Sequence, residues 1–203
     1  EGAILSALSP EVYREQNFRE TPSEFKGGSK SVFYAIQGED TERIESIKSI
    51  IRESFAKKQS VFIISSTKSR EEFLCGEVQK GIGQYVLIFD GSSQKKIESF
   101  LEKQKKHPVV VFGNLETVAL LPENLGAIII EEESSRFHKS EKSPYLDRRF
   151  CARELAKILG IRLFLSDTML SIETIKEVRV GTVLEYGRVT KKIPRQIKTL
   201  CVD

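Results

Sequence analysis

The sequence predicts an α/β fold in which a parallel sheet is flanked by helices. Three observations predict it. Short apolar runs recur from Ser31 to about Leu165, and charged segments with helical spacing separate them. The runs also lack polar alternation, so both faces of each strand should be covered, as in a parallel sheet sandwiched between helices.

Ser31–Ile36 (SVFYAI) reads as the first strand, and Thr41 to Lys57 as a helix with Ile44, Ile47, Ile51 and Phe55 at helical spacing. Val61–Ile64 is a second strand, and Glu71 to Gln79 a second helix carrying Phe73, Leu74 and Val78. Val86–Phe89 and Val109–Phe112 are further strands, separated by a helix bearing Ile97, Phe100 and Leu101. Ala127–Ile130 is the fifth run; Arg162–Leu165 is the sixth, after a helix from Asp147 to Leu159. Residues 1–30, with Pro10, Pro22, Gly27 and Gly28, read as an extension or linker, and residues 178–203 as short strands around Pro194.

A chain of 203 residues with 39% hydrophobic content can build one sizeable core, and 30% charged residues argue for a soluble protein. No apolar run approaches the roughly 18–20 residues of a membrane span. From Glu1 no basic stretch leads into an apolar one, so no signal peptide is expected, and the lack of an initiator Met suggests a fragment. Lys and Arg number 32 against 29 acidic residues, so any nucleic-acid surface must come from local clustering. Cys75, Cys151 and Cys201 form no C-x-x-C pair, and His107 and His138 are the only histidines. No metal site is expected, and a reducing cytoplasm is the natural compartment.

In such a sheet ligands sit at the carboxyl ends of the strands. Five segments lie there: Gln37–Glu42, Ser65–Arg70, Gly113–Thr117, Glu131–Lys142 and Ser166–Ser171. Pro122–Ser134 (PENLGAIIIEEES) and Phe150–Ala156 (FCARELA) resemble the PriA primosomal helicases, in which "NLG", an apolar strand and "DEEH" lead to "YHARDVA". Other pieces fall in the same order. Val110–Asn114 stands where "VVGTR" is expected, Phe164–Met169 where "LGSATP" is, and Ser171–Glu173 resembles "SLE". Ile193–Asp203 resembles the "LPEVEIVD" run that closes the first helicase lobe. The resemblance covers residues 31–203 and implies a RecA-like, P-loop NTPase-like first lobe of a superfamily 2 helicase.

The departures fall on the nucleotide chemistry. A phosphate loop needs glycines that let backbone N–H groups face phosphate, a Lys for the β/γ-phosphates and a Ser/Thr for magnesium. The "GVTGSGKT" of the family falls on Ala35–Glu42, where only Gly38 survives. Thr41 takes the Lys position and Glu42 the hydroxyl position, while Glu39 and Asp40 add negative charge. No nucleotide is expected to bind at Gly38, Glu39, Asp40, Thr41 and Glu42, which suit the start of a helix instead. The acidic motif Glu131, Glu132, Glu133, Ser134 keeps carboxylates but loses the His, so no catalytic residue and no cofactor are expected. Asp167 and Met169 replace the small residue and the Pro of the coupling motif, leaving Ser166 and Thr168 to cap a turn.

The following loop mixes cations with aromatics. The resemblance implies a single-strand-sensing loop here, with DNA contacts by Arg136, Phe137, Lys139, Tyr145, Arg148 and Arg149, extended by Lys68 and Arg70. His138, Lys142, Phe150 and Arg153 belong to the same stretch, and Leu115 replaces the Arg of "GTR". A structural reading stands beside this one: Phe150 in the core, Tyr145 packed on its turn, and the cations as a solvated face. The expected function is a silent helicase-like lobe of a replication-restart protein that binds single-stranded or forked DNA or acts as a scaffold. Its expected partners are replication-restart proteins, with no membrane. Two alternatives remain open: an active ATP- and Mg-dependent 3′–5′ DNA helicase lobe, and a protein-interaction module without DNA binding.

Overall fold

The computed structural model describes residues 31–88, 94–114, 118, 120–140 and 145–187. The expectations for residues 1–30, Phe89, Leu115, Lys142 and the Ile193–Asp203 ending lie outside them.

Among the described residues seven strands form one parallel sheet: β1 (Phe33–Gln37), β2 (Ser60–Ile64), β3 (Val86–Ile88), β4 (Val110–Phe112), β5 (Leu125–Glu131), β6 (Arg162–Asp167) and β7 (Leu184–Glu185). Their order is β3-β4-β2-β5-β6-β1-β7. The helices are α1 (Asp40–Ala56), α2 (Lys68–Ile82), α3 (Gln94–Lys106), α4 (Arg148–Leu159) and α5 (Ile172–Val180).

The two-residue period of a strand sorts the apolar runs onto two faces. Ile63, Ile129 and Phe164 point to one face, where Ile44, Ile47, Ile50 and Ile51 of α1 and Leu74 and Val78 of α2 cover them. Phe62, Ile64, Ile128, Ile130 and Leu165 point to the other, under Ala152, Leu155, Ala156 and Leu159 of α4. Fully burying each such large side chain contributes about 1.5–3 kcal/mol.

Helix boundaries follow their caps. α2 starts three residues before the expected Glu71, because the Thr67 side chain accepts the Arg70 N–H at 3.2 Å. α5 starts after Ser171, whose side chain accepts the Thr174 N–H, and ends at Gly181 with φ 80°. Residues 178–180, expected as strand, are therefore helical, and β7 keeps only two residues.

The chain leaves β1 through α1 and enters β2 with β5 and β6 lying between the two strands. Four of the five expected segments, Gln37–Glu42, Ser65–Arg70, Glu131–Ser134 and Ser166–Ser171, thus meet at the carboxyl ends of these four central strands.

Candidate functional site

The turn from β1 into α1 is closed by its own carboxylates. Gly38 N–H donates to Asp167 O at 3.3 Å, and Glu39 caps the helix with extended backbone. Glu42 folds back, so that its Oε2 accepts the Glu39 N–H at 3.3 Å. A Cβ at position 38 would lie 2.7 Å from that same oxygen, so the Glu42 carboxylate rests directly on Gly38. The capping box thus gives the Glu39 and Glu42 N–H groups carboxylate partners from the chain itself.

Beside this turn two arginines and two carboxylates interlock. Arg43 of α1, 2% exposed, pairs with Asp40, and its Nη1 lies 3.2 Å from Glu131 Oε1. Arg70 of α2 donates to both Asp40 oxygens, at 2.8 and 3.0 Å, and to Glu131 Oε1 from Nη2 at 2.6 Å and Nε at 3.2 Å. Burial opposes the charge of Arg70, but the hydrogen bonds to Asp40 and Glu131 outweigh it and hold its pKa above the ordinary value. Its fork likewise holds the Asp40 carboxyl below the usual range, with Arg43 adding to the effect.

The acidic motif is divided among three tasks. Glu131 is wholly buried in the arginine pair, and Ser66 Oγ donates to Glu132 Oε2. Glu133 serves α5: it accepts from Ser171 N at 3.0 Å, Ser171 Oγ at 2.8 Å and Thr174 Oγ1 at 2.9 Å. Glu132 itself adopts φ 55°, a conformation an L-residue holds only when its surroundings fix it. Buried His138 does part of that fixing, since its Nε2 lies 3.0 Å from Glu131 O and 3.1 Å from Glu132 O. Both partners are acceptors, so Nε2 carries the proton, and Nδ1 has no partner. Burial above all, with the charges of Arg149 and Arg148, lowers the His138 pKa.

The expected coupling motif also acts through its neighbours. Asp167 accepts from Ser134 N at 2.7 Å and Met169 N at 3.3 Å, whereas Ser166 is buried with Oγ unpartnered. Asp167 and Ser171, rather than Ser166 and Thr168, do the capping here.

The basic and aromatic stretch is only partly a surface. Arg136 lies over the Phe137 ring at 5.2 Å, and Phe137 and Lys139 are exposed. The Lys139 and Asp147 backbones form an isolated antiparallel β-bridge, and Ser140 N donates to Leu146 O at 2.8 Å, which closes the base of the loop. Tyr145 at 79% and Phe150 at 61% exposure stand outside the core, because α4 packs on the sheet through Ala152, Leu155, Ala156 and Leu159. Arg148 reaches toward Ser65 O. Arg149 turns inward to Asp147 and to Glu133 O at 3.1 Å. Arg153 binds Glu177 at 2.8 and 3.0 Å, Lys68 pairs with Glu71, and Arg70 is the interior cation described above.

Three of these residues escape the sequence reading. His138 looks like another member of the cationic loop, and Ser171 is legible only as a motif match. Arg43 carried a signal: it sits on the α1 stripe with Ile47, Ile50, Ile51 and Ser54, and a charge on an apolar stripe needs a buried partner.

The Glu42 carboxylate accepts the Glu39 N–H at the start of α1, and Arg43 and Arg70 both pair with Glu131 at the acidic strand end. Among the described residues no group of three or more His, Cys, Asp or Glu side chains is arranged to hold a metal ion. No described helix is long and apolar enough to cross a membrane.

No protein-family profile matches the chain, and no curated protein sequence does. Solved structures do match in fold. The C-terminal domain of S. cerevisiae Dbp5, bound to Gle1 and IP6, is 12% identical with a TM-score of 0.51, over 78% of this chain and 90% of that one. Domain 2 of the DEAD-box helicase Mss116p, bound to an RNA duplex, is 13% identical with a TM-score of 0.50, over 80% of this chain and 66% of that one. The chain therefore shares the RecA-like fold of these helicase domains, a parallel sheet flanked by helices.

Proposed function

We propose that this is a PriA-like helicase lobe that no longer binds or hydrolyses ATP and acts as a DNA-binding or scaffolding module in replication restart. One observation carries the reading: Glu42 and the Arg70–Asp40–Glu131 ion pairs occupy the strand ends where a polyphosphate and its metal would have to sit. The PriA assignment and the first-lobe position rest on the ordered sequence motifs. Likeness to solved second lobes at such identity speaks for the fold alone. The DNA half rests on Arg136, Phe137, Lys139, Tyr145 and Phe150, which are exposed and make no ion pair with a described residue. Mss116p is solved on an RNA duplex, in keeping with a nucleic-acid role for this kind of lobe.

Fluorescence anisotropy with single-stranded DNA at low salt, beside calorimetry with ATP·Mg²⁺, tests both halves. The expected result is salt-sensitive DNA binding without saturable ATP binding. ATP binding abolished by E132Q would restore the active-helicase alternative. A second reading, a protein-interaction module, draws on exposed Met169 and Ile172 at the start of α5, and capture of replication proteins without DNA affinity would favour it.

A further inference from the structure

The amino ends of the strands, opposite the acidic turn, carry a second concentration of charge. α1 ends where the chain enters β2 and α3 ends where it enters β4, and these two strands are paired. Val109 N donates to Ser60 Oγ at 3.0 Å, and Val61 N donates to Val109 O at 2.9 Å. The Phe55 and Tyr85 rings meet edge to face with centroids 5.9 Å apart, and the Tyr85 and His107 rings do so at 5.7 Å. Around this joint Lys57, Lys58, Lys103, Lys105 and Lys106 are exposed, and none pairs with a carboxylate among the described residues. Glu102 and Glu123 border the cluster and leave it an excess of positive charge.

Lys58 stands where the backbone favours glycine. It closes α1 in a Schellman motif: Lys58 N donates to Phe55 O and Gln59 N to Ser54 O, both at 2.9 Å, with φ 56° at Lys58. α4 and α5 close in the same way, but with Gly160 at φ 63° and Gly181 at φ 80°. A side chain is strained at such a φ, so a lysine here has been kept against the preference of the turn. The helix dipole accounts for cations in the last turn of α3 but does not ask for this one. None of the large apolar side chains that stand exposed among the described residues comes from these segments. A protein-docking surface centres on such anchors, whereas a nucleic-acid surface is polar and positive. Phe55 and Tyr85 are half-buried against each other rather than displayed for stacking on unpaired bases. We infer that this end of the sheet is a second nucleic-acid surface, one that binds the phosphate backbone of duplex DNA without reading its sequence. It goes beyond the proposed function, whose single-strand contact lies on the loop after the acidic turn. Together the two surfaces would hold both parts of a fork.

Fluorescence anisotropy of a labelled blunt DNA duplex, titrated with the whole chain over a range of salt, tests this. Wild type should bind at low salt, and K58G/K105Q/K106Q should bind on the order of tenfold more weakly. The slope of log affinity against log salt should fall by about 0.9 for each phosphate-bound lysine removed. K58G alone should weaken binding in the same direction while unfolding in urea no more easily than wild type, because glycine suits φ 56°. Absence of duplex binding at low salt overturns the inference, as do equal affinity and slope in wild type and the triple variant. Poly-glutamate bound by wild type but not by the triple variant, with duplex binding unchanged, would give the surface to an acidic protein instead. F137A and Y145A should bind the duplex as wild type does. The proposed function fails on single-stranded DNA, so loss of that binding with duplex binding intact leaves this surface standing.

Discussion

Arg70 and Arg136 lie on either side of the acidic turn and use their charge in opposite ways. Arg70 is drawn inward, forked between Asp40 and Glu131. Arg136 stays outside, lying over the Phe137 ring with no carboxylate partner among the described residues. A guanidinium saturated by carboxylates has no donors left for phosphate, whereas one resting on an aromatic face keeps them. The contrast divides the expected DNA surface. Arg70 and Arg149 are committed to carboxylates, whereas Arg136, Phe137, Lys139 and Tyr145, with Lys68 in a surface pair with Glu71, remain presented to a partner.

The largest effect should come from breaking the inner set. E131A would leave buried Arg43 with Asp40 as its remaining carboxylate and remove half of Arg70's bonds, destabilising the lobe by about 3–5 kcal/mol, as expected when one partner of a buried ion pair is removed. Urea unfolding measures it, and a loss under 1 kcal/mol would show that the inner network is not structural. The outer set should behave in the reverse manner. F137A and Y145A should leave stability within about 0.5 kcal/mol, since both side chains are exposed. Each should weaken single-stranded DNA binding by roughly 1–3 kcal/mol if its ring stacks on a base. Unchanged anisotropy in both variants would remove the outer surface from the proposal.

The sheet was legible in the sequence because burial on both faces leaves a plain mark: uninterrupted apolar runs such as Ile128–Ile130. The "NLG" piece was legible for a reason unrelated to chemistry. Asn124 accepts from Ser60 Oγ at 2.8 Å and donates to Lys58 O at 3.0 Å, and a Cβ on Gly126 would lie 2.5 Å from the Gln59 side chain. That stretch is scaffold at the amino ends of β2 and β5, far along the strands from the acidic turn. The site was less legible because its partners are remote in sequence. Arg70 meets Glu131 across 61 positions, and Glu133 meets Ser171 across 38. Local pattern cannot tell an inward arginine from an outward one, so Arg70 and Arg136 read alike until the helix start at Thr67 aims the first across the sheet.

A smaller effect should come from the joint between the acidic turn and α5. S171A removes the cap of α5 and one of three donors to buried Glu133, so a loss of about 1–2 kcal/mol is expected. Ser171→Thr should recover most of it, because the hydroxyl is retained. Loss of stability in Ser171→Thr equal to that in S171A would mean that packing, rather than the hydroxyl, matters.

The weakest effect should be a pH dependence located at His138, the residue that joins the inner and outer sets. Its Nε2–H holds the carbonyls of Glu131 and Glu132, while its ring backs the Arg136–His138 turn that displays Phe137. Burial lowers its pKa below the unfolded value of about 6.5, so the unfolded chain binds the proton more readily. The neutral ring's contribution to stability is therefore complete above that unfolded pKa. It falls as pH drops through and below it, until the depressed folded pKa is passed. Protonation would give Nδ1 a proton with no acceptor beside it and set a positive charge near Arg148 and Arg149. Urea midpoints for wild type should decline between pH 7.5 and 5, and H138Q, weaker throughout, should decline less over the same range. Parallel declines in the two proteins would move the titrating group away from His138. Because the Phe137 turn hangs on the same ring, DNA affinity in wild type should fall within that window only as far as the turn is released, and H138Q should have lost that dependence already.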